Sequence, residues 1–136
     1  MKFSCEVDDR KLRANIQRTL VRVRREKRTI IKKEAEELLA ESLSEVPRDT
    51  GSLAKSARVE EVGDGDYAVV YGGDGTINPR TGQPVDDYMV RVHEDLEVNH
   101  PNGGKAKFLE DPMRRHEQQF AERVAKRLRK TVLKGG

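Results

Sequence analysis

The chain has no tryptophan, one cysteine, three tyrosines and three phenylalanines among its 136 residues. So little aromatic surface leaves material for only a thin core. The lone Cys5 excludes an internal disulfide framework and any zinc cluster built from cysteines. No apolar run approaches the roughly 20 residues needed to cross a bilayer. Met1-Lys2-Phe3-Ser4-Cys5 lacks the apolar stretch of a secretory signal, so synthesis and use in a cytoplasm are expected. Gly-x-Ser-x-Gly, His-Glu-x-x-His and Walker patterns do not occur. The expectation is a non-enzymatic protein with no cofactor.

Charge is abundant instead. Charged residues make up 38% of the chain against 35% apolar, and the formal net charge of +3 hides a strong segregation. Residues 10–33 hold eleven Lys/Arg against Glu26 alone, whereas residues 34–45 hold five glutamates and no base. Residues 46–112 are net acidic and residues 113–136 net basic. Blocks of one sign repel themselves, so they point to oppositely charged neighbours or nucleic acid, with a solvated helix face as the plain alternative.

Phe3, Cys5 and Val7 alternate with polar residues and predict a short strand over 2–7, with Cys5 as a small buried hydrophobe. A helix should start after Asp8-Asp9 and run to Pro47, carried by Leu12, Ile16, Leu20, Val23, Ile30 or Ile31, Leu38 and Leu39 at steps of three or four. At about 1.5 Å per residue its thirty-odd residues reach on the order of 50 Å, so part of it must project. The basic half, residues 10–33, is the expected arm. Asp49-Thr50-Gly51 reads as a turn whose Asp or Thr oxygen caps a short helix through Leu53 and Ser56. Residues 58–62 and 67–72 flank Gly63-Asp64-Gly65-Asp66 as a β-hairpin. Residues 73–87 are a loop too polar and too rich in Gly and Pro to enter the core. Tyr88 to Glu94 reads as a strand or short helix, and Asn99-His100-Pro101-Asn102-Gly103-Gly104 as a break. Phe108 and Leu109 anchor the chain before a terminal helix from Asp111, with Met113, Phe120, Val124, Leu128 and Val132 on one stripe and a basic outer face. The whole reads as one α+β domain over residues 1–136. A long N-terminal helix and a C-terminal helix pack on a small, mostly antiparallel sheet of 2–7, 58–62, 67–72 and 88–93, with Leu53, Val69, Phe108 and Leu109 in the core.

Taken in order, Pro47-Arg48-Asp49-Thr50-Gly51-Ser52-Leu53-Ala54-Lys55-Ser56, then Tyr88 through His93-Glu94, then His100-Pro101, then Lys107-Phe108-Leu109-Glu110 before a terminal helix, the chain resembles the minor capsid or tail-completion proteins of long-tailed phages. The motifs span residues 46–112 and the layout spans the whole chain. The resemblance implies a structural virion protein of the head-tail junction, assembled in the bacterial cytoplasm. It further implies a homo-oligomeric ring, expected as a hexamer, between the head connector or adaptor proteins and the tail tube or tail terminator, with genomic DNA passing through. Opposite charge blocks, 10–33 against 34–45 or 58–66 of a neighbour, would set its register.

Two other chemistries compete. Arg22, Arg24, Arg25, Lys27, Arg28, Lys32 and Lys33 suit a nucleic-acid-binding helix, although they wrap around it and have no aromatic to stack bases. The same helix lacks the bulky aromatic anchors of a membrane-surface element. His93, Glu94 and His100 are the one visible candidate for metal or acid–base chemistry. Their plain reading is packing and hydrogen bonding inside the fold, with Glu94 paired to a base.

Overall fold

In a computed structural model that describes residues 1–134, one helix dominates the molecule. It is α1, Arg10–Glu45, uninterrupted over 36 residues because no Gly or Pro occurs within it. Asp8 sets its start: the Asp8 carboxylate accepts the Arg10 amide at 3.2 Å and the Arg10 Nε at 2.9 Å. Pro47 sets its end, because proline disfavours helical backbone at the preceding residue and Val46 turns extended, with ψ at 136°.

After the turn come α2, Ser52–Lys55, and the antiparallel pair β1, Arg58–Gly63, and β2, Asp66–Val70, in register from Arg58 opposite Val70 to Glu61 opposite Tyr67, with a shift before Gly63 meets Asp66. A 3-10 turn, Val85–Asp87, precedes α3, Met89–Glu94, and the described chain closes with α4, Glu110–Leu133. Helix α1 packs against α4 and against the hairpin. This is the expected α+β arrangement of two helices with a small antiparallel sheet.

The core is as thin as the composition requires. Val46, Leu53, Val85 and Phe108 form its buried centre, ringed by Leu43, Ala54, Tyr71, Tyr88, Met89, Val92 and Leu109. Phe108 meets Tyr71 and His93 edge-on, both at 5.0 Å between ring centres. The Tyr71 hydroxyl lies 2.6 Å from that of the fully buried Ser42 on α1, which ties the hairpin end to the long helix.

Several expectations are corrected. Residues 2–7 form no strand: they are coil, Phe3 and Val7 are exposed, and Cys5 is exposed too. An alternating run becomes a strand only when an edge accepts its hydrogen bonds, and the hairpin acquires no third strand among the described residues. Of the strand or short helix open for Tyr88 to Glu94, the short helix forms, over Met89–Glu94, so 88–93 adds no strand to the sheet. The loop 73–87 does reach the interior, since Val85 is fully buried and Asn78 nearly so. Val69 and Leu109 are half-buried, while Met113 and Val132 at the two ends of the α4 stripe are exposed. The arm is shorter than residues 10–33. Lys27 pairs with Asp66, and Arg28 pairs with Glu61 and Asp64 on the hairpin, so the projecting part spans about residues 10–21.

Candidate functional site

Several of the pieces singled out in the sequence line one cleft of about 410 Å³, while His93, Glu94, Phe108 and Leu109 lie outside its lining. Its wall holds Pro47, Thr50 and Leu53 from the turn, Arg80 from the polar loop, Tyr88 before α3, and His100 from the Pro/Gly segment. Gly51 starts α2 with φ at 78°, a left-handed backbone, while the space where its Cβ would lie is open. Conformation alone therefore demands glycine there. Thr50 Oγ1 accepts the Ser52 amide at 3.4 Å, a long version of the expected cap. Asp49 does not cap: its carboxylate pairs with Arg80 and so fastens the polar loop to the turn. Ser56, almost fully buried, donates to the Leu53 carbonyl at 2.7 Å and accepts the Gly72 amide at 3.0 Å, locking α2 to the end of β2. His100 Nε2 is buried at the cleft margin and has no hydrogen-bond partner.

His93, Glu94 and Glu110 offer three ligand atoms within 4.8 Å of one another, a spacing a metal ion would fit. Their hydrogen bonds already use those atoms. His93 Nε2 accepts the Glu110 amide at 3.3 Å, so its lone pair caps the first turn of α4, while Nδ1 lies 2.6 Å from Glu94 Oε1. The Lys107 ammonium sits between the two carboxylates, on Glu94 and 2.7 Å from Glu110, where a cation would go. It holds both carboxyls below their ordinary range. Lys107 also has left-handed φ, 57°, which is uncommon outside glycine, and its amide donates to the His93 carbonyl at 2.7 Å. The arrangement is that of a helix-start clamp built by a resident ammonium. His100 is not part of it.

A third cluster was missed in the sequence. Helices α1 and α4 run antiparallel, joined by a ladder of ion pairs. Glu34, 7% exposed, receives the Arg123 guanidinium in a two-pronged pair, with His116 Nδ1 at 3.8 Å. Glu41 takes Arg115 at 2.6 Å and His116 Nε2 at 2.6 Å, and Glu45 takes Arg115 and, at 3.3 Å, Lys105. The Arg123 hydrogen bond depresses the Glu34 pKa, and that of Arg115 the Glu41 pKa. The sequence signal was the acidic block 34–45 itself, whose partners lie sixty to ninety residues away.

The seven basic residues predicted as an interface separate in the fold. Lys27 and Arg28 serve the hairpin; Arg24, Lys32 and Lys33 are exposed; Arg22 and Arg25 face α4 across a second cleft. No helix among the described residues is long and apolar enough to cross a membrane. These features define a small α+β protein with a helical arm and a clamped core. No known protein family, curated protein or solved structure matches the chain.

Proposed function

We propose that the chain is a structural assembly subunit of a tailed-phage virion, acting at the head-tail junction as a ring of copies that joins the connector to the tail. The observation that carries the assembly reading is the surface. The accessible area is 10013 Å² for a 15.5 kDa chain, about 2800 Å² above the roughly 7200 Å² that size scaling gives a compact monomer. The arm adds to this surface: its Leu12, Ile16 and Leu20 are 60%, 49% and 44% exposed at helical spacing. An apolar stripe of this kind on a helix with no neighbour is a surface that association would bury.

The phage assignment rests on the motifs. Their convergence supports it, because Pro47 to Ser56, Tyr88, His93-Glu94 and Lys107 to Glu110 all act as folding devices around one core. Intramolecular pairing narrows the charge proposal: the acids of 34–45 and 61–66 largely meet bases of their own chain, so apolar contact by the arm, more than opposite charge blocks, drives association.

Sedimentation velocity of the purified protein, with imaging of the particle, tests this. Rings of uniform subunit number are expected, and Leu12→Glu with Ile16→Glu should return monomers of unchanged helix content. A wild-type monomer at all accessible concentrations, both alone and mixed with connector, would overturn the reading.

A further inference from the structure

The α1–α4 ladder pairs acids with bases along one part of its length. Glu34, Glu41 and Glu45 of α1 each meet a base of α4 or of the segment before it. At the other end like charges face each other. Arg22 and Arg25 of α1 lie across from Arg127, Lys130 and Lys134 of α4, around a cleft of about 520 Å³ in which Glu26 is the one acid among the described lining residues. The spacing on each helix puts these side chains on one face: Arg22 and Arg25 at a step of three, and Arg127, Lys130 and Lys134 at steps of three and four. Elsewhere the bases of this protein are mostly held in ion pairs, Arg28, Arg58, Arg80, Lys107, Arg115 and Arg123 among them. Among the described residues, Arg25, Lys130 and Lys134 are in none.

Arg25, Arg127, Lys130 and Lys134 repel one another across a helix pair, with Glu26 the one acid among the described lining residues, and closing α4 onto α1 at this point works against that repulsion. An anion in the cleft removes the penalty. We propose that this cleft is a binding site for the phosphodiester backbone of duplex nucleic acid. Three features favour a repeating phosphate chain over a single anion or an acidic protein surface. The positive field does not stop at the cleft: residues 10–25 carry seven bases and no acid, and residues 126–134 carry five bases and no acid. Arginine predominates on the α1 side, and its planar fork matches phosphate oxygens. The cleft has no aromatic in its lining, which fits backbone contact with duplex and not stacking on single strands. The site does not depend on ring formation and would act in monomer or ring alike.

The test is fluorescence anisotropy of labelled duplex DNA with the full chain, repeated at rising salt. Contact with four phosphates gives a log–log salt slope of about −3.6, an affinity loss of roughly 150-fold between 50 and 200 mM salt. The cleft variant Arg127→Gln, Lys130→Gln, Lys134→Gln should flatten that slope by about two to three. A control with the same charge change outside the cleft and the basic stretches, Lys32→Gln, Lys33→Gln, Lys55→Gln, should change affinity at 100 mM salt less than about threefold. Helix content and sedimentation should match wild type for both. If the cleft variant loses helix, Lys134→Gln alone replaces it, with an expected flattening of about one. The proposal is overturned if wild type does not bind at 50 mM salt, if the two triple variants weaken binding equally, or if poly-glutamate of matched charge displaces the duplex as well as unlabelled duplex does.

Discussion

Gly104 should be among the least replaceable residues of the protein, and its neighbour supplies the control. Both Gly103 and Gly104 have φ at 89°. A side chain at either costs roughly 1–2 kcal/mol for the left-handed backbone alone. They differ in what a Cβ would meet: open space at Gly103, but the Pro47 Cα and N at 2.5 Å and the Val46 carbonyl carbon at 2.7 Å at Gly104. Carbon atoms in contact normally stand about 3.5–4.0 Å apart. Relief requires moving backbone, since both partners are main chain, Val46 is 1% exposed and Pro47 is buried. The Lys105 amide, bonded to the Glu45 carbonyl at 2.9 Å, holds the two segments together. Overpacking a buried contact typically adds about 1–3 kcal/mol. Gly104→Ala should therefore lose about 2–5 kcal/mol and Gly103→Ala about 1–2. Urea unfolding followed by circular dichroism, with the slope of stability against urea checked for constancy, gives the difference directly. Equal losses in the two variants would refute the close approach of the 99–104 segment to the end of α1.

The ion-pair ladder sets an acid limit. Glu34 and Glu41 have pKa values lowered from 4.5, so their stabilisation is complete above that pH and is lost as pH falls through the lower values of the folded state. The urea midpoint should drop on acidification, and the gap between wild type and Glu34→Gln should shrink; a gap independent of pH would count against the pair. Tyr71→Phe removes the 2.6 Å hydroxyl contact with buried Ser42 and should cost roughly 1–2 kcal/mol with the fold retained. If Lys107 fills the carboxylate pair, adding millimolar zinc to the wild type leaves its melting temperature unchanged, whereas a concentration-dependent rise would show a metal site at His93, Glu94 and Glu110. His93→Ala should loosen the start of α4, seen as faster amide exchange at Glu110.

Much of the fold was legible because its signals are local. An unbroken helix from Arg10 to Pro47 follows from periodicity and the absence of Gly and Pro, and the hairpin follows from β-formers around a Gly-Asp-Gly-Asp turn. Where expectation and structure part, the deciding fact is a partner. Phe3, Cys5 and Val7 have strand periodicity but no edge to join. Asp49 has the chemistry of a helix cap, yet Arg80, thirty-one residues on, takes its carboxylate. His93 and Glu94 resemble ligands until Lys107 and the Glu110 amide occupy them.

By itself the sequence determined the inventory: a long charged helix, a thin core, a hairpin, a basic terminal helix and turns with glycine at their left-handed positions. Only the tertiary structure decided which charges cancel. Hydrogen-bond and periodicity rules act over a few residues, whereas Coulomb pairing acts over a few ångströms of space regardless of chain distance. The antiparallel closure of α4 on α1 neutralises the acidic block at one end and sets Arg22 and Arg25 against Arg127, Lys130 and Lys134 at the other.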